Sequence, residues 1–274
     1  MIIDLGLPTL ASAPTGRSER LAAVRDGMLG SVHSWELVTA VDGPGTRLTV
    51  FLAGCALRCQ YCHNPDTWNI NHGRDLAVAD LVALIDRHAT IMTVTGGGLT
   101  VSGGEPLLQP AFVTRIFRHC AERGIHTALD TSGFLGAQAS DELLADTSLV
   151  LLDVKSGLPE VYRETTGREL QPTLDFGRRL ARADTPMWLR FVLVPGLTDA
   201  VENVEAVAAY AASLQELGSG GSVERVEVLP FHQLGRDKWH ELGEPYPLEN
   251  TPPPSRELVD RVRGQFRARG LTVT

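Results

Sequence analysis

The sequence predicts an α/β fold of the partial (β/α)6-type parallel barrel, and three observations predict it. Short apolar runs alternate with amphipathic stretches of helical period from about residue 48 to the C-terminus. Strands that alternate with helices need crossover connections, which make a parallel sheet, and about six or seven such units fill more than a small open sheet but less than a closed eight-unit barrel. Polar and glycine-rich residues follow the strands directly, at 54–62, 103–105, 130–133, 153–155, 195–196 and 230–232. Chemistry in such sheets collects at the carboxyl ends of strands, so these segments are the places to search for a site.

The elements follow in order. Residues 1–30 are rich in Ala, Gly, Pro, Ser and Thr without a sustained period. They are expected to form a loosely ordered extension with a short helix around 20–25, ahead of one domain spanning 31–274. Residues 32–40 read as extended, Asp42-Gly43-Pro44-Gly45 as a turn and 48–53 as a first buried strand. Leu81, Leu84, Ile85 and His88 stand at helical spacing, so 78–88 is a helix; 99–102 is extended and stops at Gly103-Gly104. A helix over 112–123 ends against Gly124, a residue suited to a helix C-terminus, and 125–129 is the next strand. The alternation continues with strand 149–154, helix 173–183, strand 187–194, helix 201–217, the glycine-rich 218–221 and strand 225–229. An amphipathic helix over 255–269, stopped by Gly270, precedes a short extended tail at 271–273.

Composition excludes several functions. The 274 residues carry a formal net charge of −8, which repels phosphate and argues against binding of nucleic acid or an anionic membrane. The longest apolar runs, 48–52 and 149–152, fall far short of a bilayer span, and the first thirty residues lack the basic flank and long apolar stretch of a signal peptide. A cytoplasmic location is expected. Four cysteines are present and three of them lie within eight residues, which suits a metal site better than a disulfide framework.

Those three are Cys55-x-x-x-Cys59-x-x-Cys62, in the loop after the first strand. Three thiolates on one short loop can ligate three irons of a cubane [4Fe-4S] cluster. Cys120, four residues after Ile116 in a helical stretch, reads instead as a small buried hydrophobe. The remaining iron then needs a non-protein ligand. The amino and carboxylate groups of S-adenosylmethionine can provide it, with electron transfer into the sulfonium releasing a 5′-deoxyadenosyl radical. A structural zinc with His63 as fourth ligand is the competing assignment, although the Cys62-His63 adjacency makes that geometry awkward. An ordinary ferredoxin cluster would want a fourth cysteine. The loop at 95–98 and the strand end Ser102-Gly103-Gly104-Glu105-Pro106 add a second signal. Glycines at a strand end let backbone approach a ligand, and Glu105 is a candidate to face an ammonium group. Arg190, mid-strand among apolar neighbours, needs a partner or a pocket.

The string Gly54-Cys55-Ala56-Leu57-Arg58-Cys59-Gln60-Tyr61-Cys62-His63-Asn64-Pro65-Asp66-Thr67-Trp68 resembles the cluster loop of the pyruvate formate-lyase activating enzymes, within the radical S-adenosylmethionine superfamily. So do Asp42-Gly43-Pro44-Gly45-Thr46-Arg47, the segment 96–105, Leu129-Asp130-Thr131-Ser132-Gly133, Leu152-Asp153-Val154-Lys155, the segment 188–196, Leu229-Pro230-Phe231-His232, Lys238-Trp239 and Pro252-Pro253. The matches run in order along nearly all of 31–274.

The resemblance implies an enzyme that abstracts hydrogen from a backbone glycine of pyruvate formate-lyase, a glycyl radical enzyme of anaerobic metabolism, with flavodoxin or ferredoxin as electron donor. It places the cluster on Cys55, Cys59 and Cys62. The cofactor would lie against Tyr61, Cys62 and His63, the strand end Gly103-Gly104-Glu105, Asp130, the segment Asp153-Val154-Lys155, and His232. It also implies a monovalent cation near Asp130, Thr131 and Asp153, a role for Arg190 in positioning the substrate loop, and contact of Asp42, Gly43, Pro44, Gly45 and Arg47 with the substrate peptide. Two readings compete. One is an activase of a different glycyl radical enzyme; those of the dehydratase type often carry a cysteine-rich insert after the cluster loop, and residues 60–99 hold no cysteine but Cys62. The other is a non-catalytic metal-binding module.

Overall fold

The computed structural model describes residues 16–39 and 41–274, which fall into two compact units. The first unit comprises the described residues up to Cys55 together with Thr67–Asp130 and Gln138–Ser148; the second comprises Ala56–Asp66, Thr131–Ala137 and Leu149–Thr274.

The first unit runs α1 (Arg17–Arg25), β1 (Leu29–Thr39), β2 (Arg47–Leu52), β3 (Arg74–Ala77), α2 (Val78–Val94), β4 (Gly98–Gly103), α3 (Pro110–Glu122), β5 (His126–Thr131, all but its last residue) and α4 (Asp141–Ala145). Its strands lie in the order β3-β1-β2-β4-β5. β2, β4 and β5 are parallel, whereas β1 runs antiparallel to both β2 and β3. β2 has Leu48, Val50 and Leu52 fully buried and Thr49 buried between them, as a parallel strand covered on both faces requires. α3 buries Phe112, Val113, Ile116, Phe117 and Cys120 on one face, so Cys120 is the small core residue expected.

The second unit runs β6 (Leu149–Asp153), α5 (Pro159–Thr166), α6 (Gln171–Arg182), β7 (Met187–Leu193), α7 (Val201–Gln215), β8 (Val223–Pro230), α8 (Arg236–Glu241) and α9 (Arg256–Ala268). β6, β7 and β8 are adjacent and parallel. Leu189, Phe191 and Leu193 are fully buried on one face of β7, and the Phe191 ring lies 6.0 Å from Phe266 of α9. Trp188 and Arg190 occupy the opposite face. The extended tail at 271–273 closes as a parallel bridge from Val273 to Val226.

The α/β class with parallel strands is therefore as predicted, and every strand and helix expected from residue 32 onward is present. The start of the ordered chain is not. Residues 1–15 lie outside the described residues, but 17–30 are structured: α1 is tied down by Arg20, whose Nη2 donates to Asp75 Oδ1 at 2.7 Å, and Arg115 Nε donates to the Asp26 carbonyl at 2.6 Å. β1 begins at Leu29, paired with Ala77. Local composition hides this, because these residues are ordered by partners about fifty to ninety positions away, at Asp75 and Arg115. The sequence pattern also misses β3, α4, α5 and α8, each shorter than the roughly eleven residues over which a helical period is read. Among the described residues no helix is long and apolar enough to cross a membrane.

Candidate active site

The first unit carries Cys55 and holds it by its backbone. Gly54 N–H donates to the Thr67 carbonyl at 2.6 Å and Cys55 N–H to the Trp68 carbonyl at 3.1 Å. The strand end of β4 braces the same point, with Gly104 N–H on the Leu52 carbonyl and Glu105 N–H on the Gly54 carbonyl, each at 2.8 Å. A Cβ on Gly104 would stand 2.2 Å from Gly54 O, so only glycine permits this approach. Gln109, unnoticed in the sequence, is buried; its Oε1 accepts from Ser31 N–H at 2.7 Å, and its Nε2 donates to the carbonyls of Ser31 and Ala53, both at 2.9 Å. Ser102 Oγ donates to Asp130 Oδ2 at 2.6 Å.

The second unit carries the rest of the cysteine loop, including Cys59 and Cys62. The C-terminal turn of α5 leaves carbonyls without intrahelical partners, and the loop uses them. Arg58 N–H donates to Thr166 O at 2.8 Å, Gln60 N–H to Thr165 O at 2.9 Å and Gln60 Nε2 to Glu164 O at 2.8 Å. Arg168 Nε adds a bond to Ala56 O at 2.7 Å. From the other side, Trp239 Nε1 donates to the Cys62 carbonyl at 2.9 Å, and Lys238 Nζ lies 2.8 Å from Asn64 Oδ1 and 3.2 Å from Asp66 Oδ2. The rings of His63 and His232 stack with centroids 4.2 Å apart. Burial lowers the His63 pKa to about 4, with the His232 ring adding to the effect.

Beside them Lys155 Nζ lies 2.6 Å from Asp153 Oδ2, the lysine and carboxylate side chains only 12% and 22% exposed, and 5.6 Å from the centre of the Tyr61 ring. Burial pulls the Lys155 pKa down, but Asp153, Tyr61 and Cys59 outweigh it, and the amine titrates well above an ordinary lysine. Burial likewise pushes the Cys59 thiol up to about 12, with Lys155 opposing. Tyr61 is 5% exposed and its hydroxyl has no hydrogen-bond partner among the described residues.

As a donor set, three cysteines on one short loop fit a three-thiolate iron–sulfur cluster. None of the cysteines is disulfide-bonded, thiolates are the donors such clusters take, and an orphaned hydroxyl on the same loop awaits a partner. Among the described residues no three His, Cys, Asp or Glu side chains stand in ready-made metal-holding geometry. The fit therefore rests on donor chemistry and an anchored loop backbone.

Four sequence expectations need correction. Arg47 does not face a peptide: it is fully buried, Nε donates to Thr100 Oγ1 at 2.8 Å, Nη1 meets His126 Nδ1 at 3.1 Å, and Nη2 donates to the Leu99 carbonyl. Burial lowers its pKa to about 10. It organises the Asp42–Gly45 turn instead, reaching the Pro44 carbonyl at 3.4 Å, while Asp42 Oδ2 accepts from Thr49 Oγ1 at 3.2 Å. Glu105 does not stand open to an ammonium group. It is 1% exposed, and its Oε1 accepts from Leu107 N–H at 3.1 Å, capping a short 3-10 turn. The loop 95–98 lies at the amino end of β4, where Gly98 N–H donates to Thr46 O at 3.2 Å; it is away from the carboxyl ends that carry chemistry. Val154 is fully buried and contributes backbone alone, its N–H donating to Arg190 O at 2.9 Å.

Arg190, expected to need a partner, has one in Glu227, at 3.0 Å from Nε; Glu227 also accepts from Arg225 at 2.7 Å. Thr131 Oγ1 accepts from Gly133 N–H at 3.0 Å. Arg47→Met removes a buried cation and strands its acceptors. The expected result is a loss of about 2–4 kcal/mol of stability in chemical denaturation, with cofactor cleavage per folded molecule retained.

A model of the Radical SAM superfamily matches residues 49–208. The chain is 40% identical over 248 residues to the pyruvate formate-lyase 1-activating enzyme of Escherichia coli K12, covering 90% of this chain and 98% of that protein. It is 43% identical over 237 residues to the pyruvate formate-lyase-activating enzyme of Staphylococcus epidermidis, covering 84% and 92%. The crystal structure of a domain of pyruvate-formate lyase-activating enzyme from Bacteroides vulgatus superposes with a TM-score of 0.54 at 29% identity, covering 65% of this chain and 98% of that one.

Proposed function

The chain belongs to the radical SAM superfamily and, within it, to the pyruvate formate-lyase activating enzymes, and from that premise we propose that it installs a glycyl radical on pyruvate formate-lyase. The observation that carries this reading is the 40% identity over 90% of the chain, with the Cys55–Cys62 loop inside it. When bound, the [4Fe-4S] cluster and S-adenosylmethionine supply the one-electron chemistry that removes a hydrogen atom from the partner's backbone glycine.

The residues of the chain do the rest. Cys55, Cys59 and Cys62 hold three irons. Lys155, kept charged by Asp153, offers a cation to the carboxylate of the cofactor. Gly103 and Gly104 present backbone without a Cβ to the cofactor's amino group, and the Tyr61 hydroxyl, His63 and His232 line its nucleoside side. Asp130, Thr131 and Asp153 bind a monovalent cation near that carboxylate. Arg190, oriented by Glu227, and the turn Asp42-Gly43-Pro44-Gly45 position the glycine loop of the partner. Positioning and exclusion of water are what the protein adds to a reaction that needs no acid–base pair. Flavodoxin or ferredoxin supplies the electron, in the cytoplasm. The absence of further cysteines between Cys62 and Leu99 favours pyruvate formate-lyase over a dehydratase-type partner.

Anaerobic incubation of the reconstituted protein with reductant, S-adenosylmethionine and pyruvate formate-lyase is expected to give the doublet of a glycyl radical in electron paramagnetic resonance. Cleavage of the cofactor without a doublet would reassign the partner. Protein that takes up zinc and never forms a brown cluster would overturn the radical reading.

A further inference from the structure

One end of the cysteine loop is contacted by a segment that begins 170 positions later. Residues 232–239 approach the stretch from Cys62 to Asp66 at four points. The Trp239 indole N–H donates to the Cys62 carbonyl at 2.9 Å, and the Lys238 ammonium holds Asn64 and Asp66 at 2.8 and 3.2 Å. The His232 ring stacks on His63. At Gly235 a Cβ would stand 2.7 Å from both Cys62 O and His63 Cα. The φ of Gly235 is −82°, available to any residue, so proximity to Cys62 selects glycine here and not backbone conformation. The clasp is itself fixed. Gln233 Nε2 donates to the carbonyls of Leu248, Glu249 and Thr251 at 3.1, 2.9 and 3.0 Å, and the Trp239 ring packs 5.5 Å from Tyr246.

We propose that Trp239 and Lys238 are positioning residues for the cluster, acting through the Cys62–Asp66 backbone to fix the direction of the Cys62 thiolate. The inference rests on the cluster reading and goes beyond it. A carbonyl held by an indole N–H fixes the peptide plane between Cys62 and His63, and that plane sets where the Cys62 Cβ points. With Lys238 holding the next two polar side chains, the loop cannot rotate to carry the thiolate off its iron. The α5 carbonyls serve Arg58 and Gln60 in the same way, which leaves Cys62 as the ligand that α8 secures.

The test uses the full-length protein as Trp239→Phe, which keeps an aromatic ring beside Tyr246 while removing the indole N–H and part of the ring volume, together with Lys238→Met, Lys238→Arg and Gly235→Ala. Three readouts are taken: cluster loss to anaerobic EDTA, the line shape of the reduced cluster in electron paramagnetic resonance, and amide hydrogen exchange over residues 60–66 in the apoprotein. Partners one shell out from a metal typically contribute 10–100-fold in affinity, so Trp239→Phe and Lys238→Met are each expected to lose the cluster roughly tenfold faster. Both should alter the line shape and speed exchange of the loop by more than any change in apoprotein melting temperature accounts for. Lys238→Arg should restore retention, and Gly235→Ala should behave like Trp239→Phe. Retention, line shape and exchange all equal to the wild type in Trp239→Phe and Lys238→Met would overturn the proposal. So would a loss fully explained by a lowered melting temperature. Failure of the wild-type protein to hold any cluster would overturn the cluster reading instead, and the hydrogen exchange of the apoprotein would still report on the clasp.

Discussion

Cys59→Ala is expected to abolish both the brown cluster absorbance and reductive cleavage of S-adenosylmethionine, with the protein still folded. Cys59 is the middle cysteine of the loop, and the two N–H groups on either side of it, those of Arg58 and Gln60, are already committed to the α5 carbonyls. The backbone cannot slide to bring another donor into its place, and a cubane left with two protein thiolates loses iron. Cys120→Ala is the control that separates a ligand from a core residue. Cys120 is fully buried on the inner face of α3, so its loss should cost roughly 1 kcal/mol through a small cavity and leave cluster content and cleavage intact. Iron content per chain, ultraviolet–visible absorbance and 5′-deoxyadenosine release read all of these outcomes. Wild-type iron content in Cys59→Ala, or loss of cluster in Cys120→Ala at unchanged stability, would sink the assignment.

Lys155→Met is expected to damage the protein twice. The ammonium and the Asp153 carboxylate are a buried pair at 2.6 Å, and removing one member strands the other, typically at about 3–5 kcal/mol. On the proposed role of Lys155 the same substitution also removes a cation for the carboxylate of the cofactor, so binding of S-adenosylmethionine should weaken as well. The double variant Lys155→Met/Asp153→Asn separates the two effects, because with both charges gone the stability penalty shrinks while the binding defect stays. Recovery of both together would show that Lys155 acts on the fold alone. The sign of the pH effect follows from the raised pKa of Lys155. A group whose folded pKa lies above its unfolded value stabilises fully below the unfolded value and loses that contribution as pH rises through the folded one. On the side of the lysine, the pair therefore holds across neutral pH and weakens in strong alkali.

Much of the second prediction was visible in the sequence only as an address. Asp153 and Lys155 end a strand, and strand ends in this class carry chemistry; that they pair with each other, and that Lys155 opposes the effect of burial on Cys59, is a property of packing. Arg47 shows the reverse error. It stands in a motif beside a turn, and the sequence suggested contact with a peptide, whereas the side chain runs beneath the amino ends of β4 and β5 and is wholly buried. A charge flanked by polar turn residues looks exposed until the strands that cover it are placed. Glu105 misled for a related reason: an acidic residue after two glycines invites a ligand, but the next turn offered it an N–H first.

The sequence by itself determined the class of fold, the longer strands and helices, the C-x-x-x-C-x-x-C cysteine cluster with Cys120 set apart from it, and the family. Each of these is written in local spacing, as a period, a strand end or a C-x-x-x-C-x-x-C interval, and spacing survives without coordinates. Only the tertiary structure decided what holds those thiols. The α5 carbonyls, Gln109, Gly104 and the Gly235–Trp239 clasp reach the loop from positions some fifty to 180 residues away. Hydrogen bonds and close approaches at such separations depend on where the chain returns in space, and no local pattern in the sequence encodes that.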